Sequence, residues 1–587
     1  MVALCALSAC EKNATFTPQS PERGPGQLVG LDGEVNVSSL RQGVDGVPNA
    51  RATTPPSDGA TPDCGAECVS YCEGLALGNA VNRGMCQSTW GVGLKSAPVE
   101  PTEACRRLFA DVLGVLPTKQ DVEDTCKDKG FGQIVAGMLS DPRFVMQQRK
   151  RWSDIFGYDT ESVSVERIYD MDRLVEKLYQ GKVSYDTFVA VASAHPVLVR
   201  QFDTSGDRAE ALFNIFMGRP PLGSERSDVA RLYNLWSNGY YDHPQLGVRL
   251  PDAVIRYRCL NEAGQVDEQS SGACTSILYG YNPVILTPDL RADEDDRGAK
   301  TMWSGLLKAE EWALLQKPGR LLAQDRVLWE KAVDDVLDQY MDYDLGTMVP
   351  KVRQELVQTL LDHDGDLRAV HFAVLTSAAY LQSNKVPSEY AYRWTYGPIK
   401  QIDAQSWLDT IAKTTGVDLG SCDHRINRPG RLLEANTLAA WALVEGSAWE
   451  LNEEGNVKGA YRDLARSLGG CPSNDVGGRF KIISILTTAT QLNHVNRVCD
   501  TSQAGGGVDI ERLLPQGMSP NKAVTPTIAQ EIVTHQTRMF YGRDLTDVER
   551  ADAARHGEQC EREVCKAQDF ARPACFALLS SSEMLFY

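Results

Sequence analysis

The sequence predicts a mainly α-helical protein in which repeated units of helix, glycine turn and helix pack into multi-helical domains. Three observations support this fold class. Apolar residues recur at three-and-four spacing from about residue 101 onwards, clear strand signals are few, and two short phrases recur along the chain. Hydrophobic residues make up 42% of the 587 residues and charged residues 24%, as in proteins with a packed core.

The first recurring phrase is an apolar helix that stops at a glycine and is followed by a turn and a new, acidic helix. Its three copies stop at Gly114, Gly218 and Gly542. Glycine accepts the left-handed backbone conformation that ends many helices. Thr546 with Glu549 matches a capping box, and Thr118 with Asp121 is similar to one. We therefore expect the three glycines to lie at equivalent turns.

The second phrase is an apolar run followed by two polar residues that are suited to capping the next helix. It occurs at 138–144 (MLSDPRF), 374–381 (VLTSAAYL) and 578–585 (LLSSSEML). Only two stretches resemble strands, 255–260 (IRYRCL) and 480–490 (FKIISILTTAT), and the second fits a buried helix equally well.

Composition and phrase order divide the chain into seven segments, and its length allows roughly three to four domains. We expect a signal peptide with a lipobox (1–10), a disordered tether (11–63), a Cys-rich segment (64–100), a first helical domain (101–220), an irregular or mixed insertion (221–330), a second helical domain (331–420) and a third helical domain (421–587).

The amino terminus resembles the export signal of a bacterial lipoprotein. Leu7-Ser8-Ala9-Cys10 has the form of a lipobox, and residues 11–63 are polar and rich in proline, as in a flexible spacer. We expect Cys10 to carry lipid and the body to stand off the membrane at the cell envelope. Glu11 follows the Cys, which favours the outer membrane over the inner one. The positively charged start of a signal peptide is missing, so we expect translation to start upstream of Met1.

Cysteine usage indicates an oxidising compartment. The chain has 16 cysteines, and setting aside Cys5 in the signal region and the lipid-bearing Cys10 leaves 14, an even number. We expect these to be mostly paired: Cys64, Cys68, Cys72, Cys86, Cys105, Cys126, Cys259, Cys274, Cys422, Cys471, Cys499, Cys560, Cys565 and Cys575. The pairs that we expect most are 105 with 126 and 259 with 274. The first four could instead bind a metal as thiolates, but export favours disulfides.

Parts of the chain resemble uncharacterised domains first found in planctomycete cytochrome c-like proteins and common in large exported proteins of planctomycetes and myxobacteria. The resemblance rests on 108–118 (LFADVLGVLPT), on the closing phrase and on 148–154 (QRKRWSD), and extends in pieces over about 100–220 and 330–587. It implies a helical fold and no particular activity. Such domains are often fused to a haem-binding segment, but this chain has no Cys-x-x-Cys-His motif.

Charge and motifs exclude several functions. The net charge of −18 disfavours nucleic acid as a partner. No His-Glu-x-x-His and no Gly-x-Ser-x-Gly motif occurs, and we expect no cofactor and no metal. The basic run Arg149-Lys150-Arg151 is interpreted as a solvated helix face.

Four other features allow more than one interpretation. Asp362, Asp364 and Asp366 fit a calcium loop or, better, a helix-to-helix turn with Asp366 as the N-cap. The acidic run 293–296 fits a weak calcium site or, better, a solvated loop. His424 near Cys422 and His494 near Cys499 could form a Cys–His catalytic pair only if the thiol were free. Trp236, Tyr240 and Tyr241 could line a carbohydrate surface, or they could be core residues.

Three functions remain open from the sequence. The first is a non-catalytic, membrane-anchored scaffold or binding module with a protein partner at the cell envelope. The second is an exported hydrolase that acts on polysaccharide or peptide through acid–base carboxylates. The third is a partner of an extracellular redox protein. A buried carboxylate pair in a cleft would favour the enzyme, and an apolar patch would favour the scaffold.

Overall fold

A computed structural model describes most of the chain from residue 72 to residue 587. The described residues are 72, 79–88, 98–157, 171, 174–199, 201–202, 204–241, 254–260, 266–267, 276–282, 316–384, 396–417, 419, 459–471, 479, 481, 483–501 and 507–587. The expected lipobox and tether lie outside them. The protein is mainly helical, as the sequence predicts.

Nine of the first ten described helices precede a small β-sheet, and the tenth follows it. They are α1 (Ala80–Ser88), α2 (Pro101–Leu108) with a π-helical extension (Phe109–Leu113), α3 (Lys119–Thr125), α4 (Phe131–Leu139), α5 (Pro142–Phe156), α6 (Tyr185–Ala192), α7 (Pro196–Val199), α8 (Ser205–Met217), α9 (Glu225–Tyr241) and α10 (Lys317–Leu322). Residues 174–179 are also helical.

The remaining helices follow in the carboxy-terminal half of the chain. They are α11 (Arg326–Met341), α12 (Leu345–Met348), α13 (Pro350–Asp362), α14 (Leu367–Leu375), α15 (Ala404–Thr415), α16 (Gly459–Ser467), α17 (Ile485–Cys499), α18 (Ile510–Leu513), α19 (Pro526–Phe540), α20 (Asp547–Glu563), α21 (Ala567–Leu579) and a 3₁₀ turn (Ser582–Met584).

The described strands form one small antiparallel sheet. β1 (Val254–Leu260) lies between β2 (Val266–Asp267) and β3 (Ser276–Asn282), and Cys259 is opposite Asp267 on one side and Ile277 on the other. The predicted strand at 255–260 is therefore present. The second candidate, at 480–490, is helical from Ile485 because Ser484 caps α17 and accepts a hydrogen bond from the Thr487 amide.

Two large hydrophobic cores organise the described helices. The first has members between residues 80 and 381 and joins α1–α14. The second runs from Ile402 to Tyr587 and takes in Ala110 and Leu116 from the segment next to α2. Sequence-distant helices therefore share each core, while the domain boundaries that we expect from composition stay predictions.

The repeated glycines end helices in the left-handed conformation that the sequence predicts. Their φ angles are 69° at Gly114, 63° at Gly218 and 70° at Gly542. After the first and third glycines, Thr118 and Thr546 form complete capping boxes with the residues three positions on, and α3 and α20 begin. After Gly218 the next helix is α9, which begins at Glu225.

The second phrase ends its own helix in the same way at each copy. Ser140, Thr376 and Ser580 are the C-caps of α4, α14 and α21, with φ of −95°, −94° and −90°. Each hydroxyl donates to the carbonyl four residues earlier, at 2.7–3.0 Å. The capping of the next helix that we expect from this phrase is made at the first copy by Asp141, which accepts from the Arg143 amide.

Four disulfides join described cysteines, and the expected bond between Cys105 and Cys126 is one of them. The bonds are Cys72–Cys86, Cys105–Cys126, Cys499–Cys575 and Cys560–Cys565. Cys471 is also disulfide-bonded. Because Cys72 and Cys86 bind each other, neither offers a thiolate to a metal. Cys64, Cys68, Cys274, Cys422 and the side chain of Cys259 lie outside the described residues.

The basic run on α5 is not the solvated face that we expect from the sequence. Arg149 is only 5% exposed, and Arg151 donates through its guanidinium to the carbonyl of Asp335 on α11. The Nζ atom of Lys150 lies 4.0 Å from a carboxylate oxygen of Asp409 on α15. The interpretation was wrong because α5 contacts helices of both cores, and their carbonyls and carboxylates take up its donors. Among the described helices, none has an apolar stretch sufficient to span a bilayer.

Candidate functional site

The last helical unit, α19–α21, contains the candidate site. Pro526 begins α19 after the N-cap Thr525, and Tyr541 and Gly542 end it. The capping box of Thr546 starts the long helix α20, and Val564, with a φ of 58°, ends it before α21. α20 and α21 both pack against α19, and only a short turn connects α20 to α21.

A groove of about 620 Å³ runs between α20 and α21. Its lining residues on each helix recur at three-and-four spacing, so each helix contributes one continuous stripe. The lining consists of Val533, Leu545, Glu549, Asp552, Ala553, His556, Gln559, Cys560, Glu563, Cys565, Asp569, Phe570, Pro573, Ala574, Ala577 and Leu578. Its alanines are Ala553 on α20 and Ala574 and Ala577 on α21, and such small side chains leave space open between the two helices.

The floor of the groove is apolar. Ala553 and Cys560 are buried there, at 5% and 7% exposure, and the Cys560–Cys565 disulfide forms part of the wall. Phe570 and Leu578 are half-buried beside them. An apolar floor that solvent can reach is typical of binding surfaces.

The rim of the groove is acidic. Arg543 donates to both carboxylate oxygens of Glu549 at 2.8 Å, and this pairing lowers the pKa of Glu549 to about 2. Asp552 forms an ion pair with Arg555. Glu563 and Asp569 are exposed, and neither has an ion-pair partner among the described residues. The rim therefore carries uncompensated negative charge near the carboxyl end of α20.

A second groove, of about 760 Å³, lies at the corresponding place in the first unit, α2–α4. The Cys105–Cys126 disulfide lines it, as do residues of both charges: Lys119, Glu123, Lys127, Asp128 and Lys129. Because the signs alternate, this groove does not favour a ligand of one charge. Neither groove contains a buried pair of carboxylates.

A buried polar cluster joins the two cores away from both grooves. The Lys400 ammonium contacts the Asp111 carboxylate and donates to the Gln339 carbonyl at 3.0 Å. The Tyr380 and Tyr587 hydroxyls donate to Asp111 at 2.8 and 2.9 Å. Burial lowers the pKa of Lys400 to about 8, although the Asp111 charge opposes the shift.

This cluster joins the two cores and is buried from solvent. Asp111 is 8% exposed and Lys400 4% exposed, so no ligand reaches them without the cores separating. The π-helical extension Phe109–Leu113, which carries Asp111, is a local widening of the helix that is common at special positions. In this protein the widened turn carries Asp111, whose carboxylate forms the ion pair between the cores.

The structure resolves two of the alternatives that the sequence left open. Asp366 caps α14 by accepting from the Arg368 amide at 3.0 Å, and its carboxylate pairs with the Arg368 guanidinium at 2.7 Å. The turn interpretation is therefore right. Cys499 is bonded to Cys575, so it offers no thiolate to His494, which packs against Trp407.

The other candidates lie outside what the structure describes. They are His424, Cys422, the acidic run 293–296 and the side chains of Trp236, Tyr240 and Tyr241. The groove was missed by sequence reasoning. Its one visible signal is the acidic helix 547–563 followed closely by the alanine-rich segment 567–579.

Comparison with known proteins identifies one segment. Residues 91–217 match a family described as PSCyt2, a protein family of unknown function (DUF1549). The match covers the first helical unit and extends to the end of α8, just before Gly218. It agrees with the resemblance to uncharacterised domains for this part of the chain. No curated protein and no solved structure matches the chain.

Proposed function

We propose that the chain is an exported, lipid-anchored and non-catalytic binding module that presents a rigid helical body at the cell envelope. The observation that carries the proposal is the open groove between α20 and α21, which has an apolar floor and a charged rim. A preformed concave apolar surface with a few polar groups is the usual form of a binding site.

The export part of the proposal has independent support. The lipobox ending at Cys10 precedes a polar, proline-rich segment that is suited to a tether. Four disulfides among the described residues fit an oxidising compartment. A tethered, disulfide-stabilised body is suited to holding a partner near a membrane.

The hydrolase alternative has less support. It requires two carboxyl groups at a substrate, one of them in a dry environment that raises its pKa. Glu563 and Asp569 are exposed, Glu549 and Asp552 are half-buried beside arginines, and the pKa of Glu549 is lowered. The redox-partner alternative rests on the family resemblance and gains no observation from the structure.

Membrane anchoring is tested by substituting the cysteine of the lipobox. The chain is expressed with a complete signal sequence, and the membrane and soluble fractions are compared. We expect Cys10→Ala to leave the membrane fraction and the matched control Cys5→Ala to stay there. Retention of Cys10→Ala at the wild-type level would show that another anchor exists.

Binding in the groove is tested with the neutral apolar dye Nile red. We expect its fluorescence to rise with the full chain and to stay low with Ala577→Trp, which fills the groove from an exposed position. Ala551→Trp places the same side chain at an exposed position of α20 outside the groove and should bind dye like the wild type. If dye binding is equal in all three proteins, the groove is not a binding surface.

A further inference from the structure

The shape of the groove indicates the kind of ligand. Its lining on α20 extends from Glu549 to Glu563, which spans about 21 Å at about 1.5 Å per residue. On α21 the lining extends from Asp569 to Leu578, about 14 Å. An open trough between two helices, rather than a closed pocket, suits an elongated ligand.

The residues that line the trough indicate which chemical class of ligand it binds. Its floor is formed by alanines, Phe570, Leu578 and a disulfide, so it offers only apolar contact. Its rim carries four carboxylates and one histidine and no lysine or arginine. Arg543 pairs with Glu549 and also with Glu583, whereas Glu563 and Asp569 have no cationic partner in the described chain.

We propose that this groove binds an amphipathic helix of a partner polypeptide, with the apolar face of that helix on the floor and its lysines or arginines beside Glu563 and Asp569. This inference rests on the proposed function and names the ligand class of the same site. A helix about 10 Å wide laid in a trough between two helices is a common mode of peptide recognition. Opposite charges at the rim give it specificity and speed its association.

A second copy of this chain is a poor occupant. The chain carries a net charge of −18, and its basic run on α5 is taken up by contacts to α11 and α15. A partner of opposite charge is therefore favoured over self-association.

The probe is a synthetic peptide of about 18 residues made of leucine and lysine, with leucines at helical spacing, long enough to fill the trough. Its affinity for the full chain is measured by fluorescence anisotropy. A second peptide carries glutamate in place of lysine. We expect the lysine peptide to bind at least about tenfold more tightly than the glutamate peptide, and to weaken when salt rises from about 0.05 to about 0.5 M.

The acidic rim is tested with charge-matched variants. The double variant Glu563→Gln/Asp569→Asn removes two charges inside the groove, and the asparagine keeps the bond to the Lys566 amide. The control Glu558→Gln/Glu561→Gln removes two exposed charges of α20 outside the groove. We expect the first to weaken lysine-peptide binding at least about tenfold and the control to change it less than about twofold.

The outcomes separate the inference from the proposed function. Loss of peptide binding in Ala577→Trp and in the rim variant, but in neither control, supports both. If Nile red binds and Ala577→Trp prevents it, while the two peptides bind equally, the function stands and the ligand class is wrong. If both charge variants weaken the peptide equally, attraction to the whole acidic chain explains the binding and the inference is overturned.

Discussion

The first helical unit, α2–α4, and the last, α19–α21, follow the same plan with different results. Each has a helix that stops at a left-handed glycine, a threonine capping box, a second helix, and a third helix that ends in a serine bonded back into its own turn. The second helix has 7 residues in α3 and 17 in α20. Because the turns are equivalent, the length of the second helix sets the length of the groove. Of these two helices, only α20 is long enough for a trough of about four helical turns.

The two units also contact each other through their turns. Arg106 on α2 donates to the Tyr541 carbonyl at 3.0 Å, and Lys119 lies 3.5 Å from Asp544. Three residues before its glycine, the first unit has Asp111 and the last has Met539. One local plan therefore serves two roles, since the first unit joins the cores and the last contains the groove.

The largest loss of stability is expected when Asp111 of the first unit is replaced by methionine, the residue at the equivalent position of the last unit. Asp111→Met leaves the Lys400 ammonium buried without its carboxylate, and breaking one side of such a pair costs about 3–5 kcal/mol. Denaturant unfolding measures the loss. The double variant Asp111→Met/Lys400→Met should recover much of it. If the single variant is as stable as the wild type, the two cores are not joined by this ion pair.

The disulfides should rank by the length of the loop that they close. The separations are 76 residues for Cys499–Cys575, 21 for Cys105–Cys126 and 5 for Cys560–Cys565. Replacing each pair by alanines should lower the free energy of unfolding by about 4, 3 and 2 kcal/mol in the chain-entropy model. Calorimetry of the three variants checks the order. A larger loss for the last pair than for the second would show that the groove wall depends on its disulfide.

A buried histidine in each core should make the protein less stable in acid. Burial lowers the pKa of His371 in the first core to about 3 and that of His494 in the second to about 4, from 6.5. The unfolded chain then binds more protons below pH 6.5, so stability falls as pH falls from 6.5 towards 4, by up to about 1.4 kcal/mol per pH unit for each histidine.

Variants separate these contributions. His494→Phe keeps an aromatic ring beside Trp407, and His371→Gln keeps a hydrogen-bond acceptor for the Tyr340 hydroxyl, which lies 2.7 Å from the imidazole. We expect each variant to flatten the decline of unfolding free energy between pH 6.5 and pH 4, measured by urea titration at several pH values. An unchanged slope in both would mean that these histidines are protonated in the folded protein.

The smallest losses of stability are expected from replacing glycines that end helices. These substitutions test directly whether the turns of the two units are in contact. Gly157→Ala, where an added Cβ meets nothing within 4 Å, should cost about 1 kcal/mol for its left-handed φ of 66° alone. Gly218→Ala should cost about the same because it meets only the flexible Lys331 side chain. Gly542→Ala should cost more, since its Cβ would lie 2.7 Å from the Pro117 carbonyl oxygen of the first unit. Equal losses at all three would show that the turns of the two units do not press together.

Sequence alone determined the helical fold class, the glycine stops, the capping boxes, the strand at 255–260 and the bond between Cys105 and Cys126. These features depend on residues within a few positions or on one short helix pair, so their chemistry is visible in a local stretch of chain. Only the tertiary structure decided that Arg149 is buried, that Asp111 meets Lys400 at a separation of 289 residues, and that α20 and α21 leave a groove between them. The reason is physical: burial, pairing and empty space are properties of packed surfaces, and packing brings together side chains that no periodicity in the sequence connects.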